Sequence, residues 1–139
     1  MVTCCFYSGF VFLMNSGLAG IHNYYFYSVL FFTLFTTSLI VHSNTNPYTI
    51  AIDKIAIFAI VFYGGKMFIE KCLAKKNHCF FDVYRMIFII STFLSTIYLY
   101  YYGFLHKKYC YHPETTIANI YHSLLHLFSF IGHSLIITM

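Results

Sequence analysis

Two pairs of residues share the spacing of about one helical turn: His122 with His126, and Ser38 with His42. Positions i and i+4 lie on one face of a helix, so both members of a pair can reach one point. Two imidazoles so placed are a usual geometry for two ligands of one metal ion. With 8 histidines in 139 residues, chance alone often supplies such a pair. The plain alternative is two polar residues hydrogen-bonded inside a helix bundle. Asp53 joins the set: it lies 11 residues past His42 and is the first charged residue of the chain. Three neutral imidazoles, His42, His122 and His126, plus a water make the pattern of a catalytic zinc site with an open position. Bound Zn2+ lowers the pKa of such a water to about 7. Asp53 can orient the water and shuttle its proton. Ser38, one turn from His42, can hydrogen-bond the water or a developing oxyanion. Against this stands an ordinary interfacial ion pair between Asp53 and Lys54.

These residues have to be positioned by membrane helices. Hydrophobic residues make up 60% of the chain and charged ones 9%, and the mean hydropathy is +0.71. Soluble domains carry about 25% charged residues. Residues 1–52 hold no Asp, Glu, Lys or Arg. A disordered chain, a basic nucleic-acid-binding domain and an ordinary soluble enzyme are all excluded. Uncharged apolar runs of about 20 residues are needed to cross the hydrocarbon layer. Five runs qualify: 4–20, 25–42, 48–72, 86–105 and 115–139. They are too long for barrel strands, so the expected fold is all-α, a single polytopic transmembrane helical bundle of about five spans. The first run is diluted by Ser8, Asn15 and Ser16; the third carries Asp53, Lys54, Lys66 and Glu70 at its ends.

The five-span topology brings the chemistry together. The second span ends at His42, and the third starts on the same side with Asp53. The fifth starts there again with His122 and His126. Lys66, Lys71, Lys75, Lys76 and Arg85 lie toward the opposite side, against Lys54, Lys107 and Lys108 on the histidine side. The basic side is expected to be cytoplasmic, with the N-terminus lumenal or extracellular and the C-terminus cytoplasmic. Tyrosines near helix ends (Tyr24, Tyr25 and Tyr27; Tyr98 and Tyr100 to Tyr102) read as an interfacial belt. Cys4, Cys5, Cys72, Cys79 and Cys110 have no zinc-ribbon spacing and read as free thiols. His22 and His78 are expected to face water. His106 and His112 are alternative ligands if the span ends shift by a turn. His133 shares the face of His122 and His126 but lies about 10 Å deeper, an interior polar residue or a distant relay member. A bis-histidine haem would explain neither Ser38 nor Asp53.

Ser38-x3-His42, then Asp53, then His122-x3-His126 resembles the motif of the CREST superfamily of membrane hydrolases. That group includes alkaline ceramidases, adiponectin receptors and GPI-lipid remodelling proteins. The stretch from His122 through Gly132 is similar to the family's last helix. The resemblance implies that His42, His122 and His126 bind Zn2+ and that Asp53 and Ser38 hold the catalytic water. It implies hydrolysis of a lipid amide or ester, ceramidase-like in kind, on a substrate entering from the bilayer, in the endoplasmic reticulum or Golgi. The family has seven spans where five are read here, and Leu125 stands where it commonly has tryptophan. No acid precedes Asp53, so the calcium site of alkaline ceramidases is not expected. The rival expectation is a non-catalytic structural or receptor-like membrane protein with a helix-pinning metal site or none.

Overall fold

A computed structural model describes residues 4–77 and 79–139, with side chains from Phe6 onward. The side chains of Cys4 and Cys5, and all of His78, lie outside the described residues. Among these residues the structure is helical without a strand. The N-terminal arm is α1 (Cys4–Ser8) followed by α2 (Phe10–Ile21), joined through Gly9 in helical conformation. Asn23, at positive φ, turns the chain into α3 (Tyr25–Ser43). Asn tolerates that region better than most residues. The Asn44–Asn46 turn leads to α4 (Pro47–Ala74). The Asn46 side chain accepts from the backbone N–H groups of Tyr48 and Thr49, and Pro47 occupies the first helical position, where its missing N–H costs nothing.

The next helix starts earlier than the apolar run suggests. α5 covers Phe80–Ile97, because Asp82 accepts from the Cys79 N–H at 2.9 Å and pairs with Lys75 at 2.6 Å. A carboxylate in the first turn also suits the helix dipole. The rod continues through a π-helical segment, Tyr98–Tyr102, into the short α6 (Gly103–His106). Lys107, left-handed, ends it. A 3-10 turn at Tyr109–Tyr111 precedes α7 (Thr115–Thr138).

Three of these helical rods are long and apolar enough to cross a membrane: Tyr25–Ser43, Phe80–Tyr111 and Thr115–Thr138. The N-terminal apolar arm, Phe6–Ile21, is shorter, and α4 carries charge at both ends. Large apolar side chains such as Ile21, Phe62, Leu73 and Phe81 point outward. Water would not tolerate so much exposed apolar surface on one small particle. The chain is an all-α helical bundle and an integral membrane protein.

α7 is the central helix, packed against α1, α2, α4 and α5, while α3 packs between α2 and α4. Phe12, Phe31, Leu34, Ile60, Ile89 and Ile136 fill the interior. At the end of α7, Lys71 from α4 donates to the carbonyls of Ile136 (2.7 Å) and Ile137 (2.9 Å), and Arg85 from α5 to that of Thr138 (3.1 Å). Cations there satisfy carbonyls that have no helical partner. Tyr27 departs from the interfacial belt expected of it. It is fully buried, and its hydroxyl bonds Nδ1 of His133, also buried, between the rings of Phe31 and Phe93. Cys72, Cys79 and Cys110 are thiols; no disulfide forms among the described residues.

Candidate metal centre

α3 delivers Ser38 and His42 in its last two turns, and α7 delivers His122 and His126 in its N-terminal half. The imidazoles of His42, His122 and His126 converge. Their ligand nitrogens all lie within 4.8 Å of one another. Ring centroids are 5.2 Å apart for His42 and His122, 5.8 Å for His42 and His126, and 4.8 Å for His122 and His126. Yet no Cα of α3 comes within 8 Å of a Cα of α7 among the described residues. The side chains alone bridge the two helices.

The donor set fits a single metal ion in chemistry and size. A tetrahedral ion at 2.0–2.1 Å from each nitrogen spaces its ligands about 3.4 Å apart. Nitrogens within 4.8 Å of one another stand at most about 1.4 Å beyond that spacing. His126 is buried, and His42 and His122 are half-buried, so the cluster faces a restricted space. Phe12 of α2 meets the His126 ring edge-on at 5.0 Å.

Asp53 is not one of the clustered donors. Its Oδ1 accepts from the Thr37 hydroxyl at 2.8 Å, which ties the first turns of α4 to α3 beside Ser38. The alternative pair with Lys54 does not form: no cation lies within 4.0 Å of Asp53 among the described residues. Ser38 is buried and abuts Gly9, where a Cβ would stand 3.2 Å from its Oγ. A larger residue at position 9 would press on the serine, so glycine lets the N-terminal arm close over it.

The other histidines lie elsewhere. The His106 ring lies tilted against Tyr102 at 4.2 Å, and Nδ1 of His112 accepts from the Glu114 N–H at 3.0 Å, so neither replaces a member of the trio. His22 is exposed, as expected. His133 is interior, and its Nε2 has no hydrogen-bond partner among the described residues.

Two contacts had no signal in the residue pattern. The Ser8 hydroxyl lies 2.8 Å from Nδ1 of His126, and Thr37 holds Asp53. Both depend on which helices pack together, and neither residue sits at a periodic offset from its partner. A groove of about 350 Å³ opens between α5 and α7, lined by Leu94, Ser95, Tyr98, Leu99 and Phe128. None of the three imidazoles lines it. Comparison of the chain with protein-family models, with curated proteins and with solved structures finds no match in any of the three.

Proposed function

We propose that the chain is a metal-dependent intramembrane hydrolase, with zinc held by His42, His122 and His126 and a lipid amide or ester as substrate. One observation carries this reading: three imidazoles from helices far apart in sequence meet at one point without backbone contact between those helices. Bringing three polar rings together, one buried and two half-buried, inside an apolar bundle is costly unless something binds them. Zinc at that point would supply a Lewis acid and an acidified water. Three protein ligands leave a position open, which a purely structural site would close with a fourth.

The remaining roles belong to Asp53, Thr37 and Ser38. Thr37 occupies Oδ1 of Asp53 and leaves Oδ2 to take a proton and later return it to the leaving group. Ser38, next to Thr37 in sequence, offers a hydroxyl to the substrate oxygen as charge develops on it. The same motif residues carry the resemblance to ceramidase-like CREST hydrolases. Five crossings, with the ends of α4 and α7 near Lys71 on the cytoplasmic side, complete the proposal.

A second reading is favoured by the absence of Asp53 from the clustered donors: an ion there would pin α3 to α7, with no turnover. The deciding experiment is lipid-amide and lipid-ester hydrolysis by purified wild type and Asp53→Asn, with zinc content measured in both. Turnover in wild type that is lost in the variant while zinc stays bound supports the enzyme. Full zinc occupancy with no turnover across the lipid panel supports the pin.

A further inference from the structure

α1 adds a side chain to a cluster otherwise built from α3 and α7. The Ser8 hydroxyl reaches Nδ1 of His126 at 2.8 Å. An imidazole has two nitrogens, and the hydrogen bond made by one decides what the other can do. When Nδ1–H donates to Ser8 Oγ, the Nε2 lone pair is free to face an ion. Metal-bound histidines almost always have their second nitrogen held in this way, which fixes both tautomer and ring orientation. The arm approaches α3 closely at Gly9, where a Cβ would press on Ser38 Oγ at 3.2 Å. Phe12, in the next turn of the same arm, packs on the His126 ring. The N-terminal arm therefore touches His126 through a polar contact and an apolar one, and touches Ser38 besides.

We propose that Ser8 is a positioning residue of the imidazole cluster, and that ion binding at the cluster and docking of α1 onto α7 strengthen each other. The inference rests on the metal reading above. Linkage makes it reciprocal: if docked α1 favours the ion, the ion favours docked α1 by the same factor. The first helix then reports whether the site is loaded.

The test uses the full chain in detergent micelles, with zinc as the probe and a competing chelator. Ser8→Ala is expected to weaken zinc binding about 10- to 100-fold, the usual effect of losing such a partner. Ser8→Thr, which keeps the hydroxyl, is expected to stay close to wild type. In wild type, zinc slows amide hydrogen exchange over residues 4–12, and less so in Ser8→Ala. Equal or tighter zinc binding by Ser8→Ala, or exchange over α1 that zinc leaves unchanged, overturns the proposal. Wild type that binds no zinc overturns the metal reading itself, so the two failures are distinct. Matching helicity of the metal-free proteins separates lost positioning from lost folding.

Discussion

Thr37 and Asp53 are joined across the α3–α4 hairpin, hydroxyl to Oδ1 at 2.8 Å. The contact sits one residue before Ser38 and about one turn from His42. It leaves the carboxylate with one oxygen engaged and one available. A general base in a proton transfer contributes about 10²- to 10⁴-fold. Asp53→Asn is therefore expected to lower turnover by at least about 100-fold while zinc stays bound. Thr37→Val is expected to lower it by about 10- to 150-fold, since a hydrogen bond to a charged group is worth roughly 1.5–3 kcal/mol. Steady-state hydrolysis of a lipid amide measures both. Unchanged turnover in Asp53→Asn would remove Asp53 from the chemistry.

Gly64 and Gly65 of α4 are neighbours with opposite surroundings. A Cβ at Gly64 would lie 2.6 Å from both His133 Cε1 and the Tyr27 hydroxyl, whereas nothing among the described residues lies within 4 Å of one at Gly65. Gly64→Ala is expected to destabilise the bundle by about 1–3 kcal/mol through overpacking. Gly65→Ala is expected to stabilise it by about 0.5–1 kcal/mol, the helix cost of glycine. Thermal unfolding of the two variants in the same detergent reads the difference directly. A Gly64→Ala protein as stable as Gly65→Ala would contradict the close packing of α4 on His133 and Tyr27.

Cys79 is exposed in the loop before α5, while the Cys72 thiol lies 3.3 Å from the Met86 sulfur and is half-buried. A variant keeping Cys79 as its sole cysteine is expected to react with a membrane-impermeant maleimide from the cytoplasmic side. Labelling from the opposite side alone would reverse the orientation drawn from the lysine distribution.

The helices and the imidazole trio were legible in the sequence for physical reasons. Charge is excluded from the bilayer, so the long uncharged stretches marked the rods, and Asn46-Pro47 marked a turn. The i, i+4 spacing fixed His122 and His126 to one face, and alternating direction carried His42 to the same end. Helix ends were harder. Excluding Asp82 and Arg85 from the fourth run began it at 86, yet the Lys75–Asp82 pair and the Asp82 cap start the helix at Phe80. Tyr27 read as interfacial because it lies near a helix end beside Tyr24 and Tyr25. Its burial follows from the approach of α4 at Gly64 and α7 at His133, which no local pattern encodes. Ser8 and Thr37 were invisible for the same reason. Lys54, adjacent to Asp53, does not pair with it because successive helical positions point in different directions.

The most direct measurement is the metal content of the purified protein by inductively coupled plasma mass spectrometry. A three-imidazole zinc centre predicts about one zinc per chain in wild type, with His42→Ala and His126→Ala each reduced to a small fraction of that. Wild type without zinc, or variants that hold as much zinc as wild type, would contradict it.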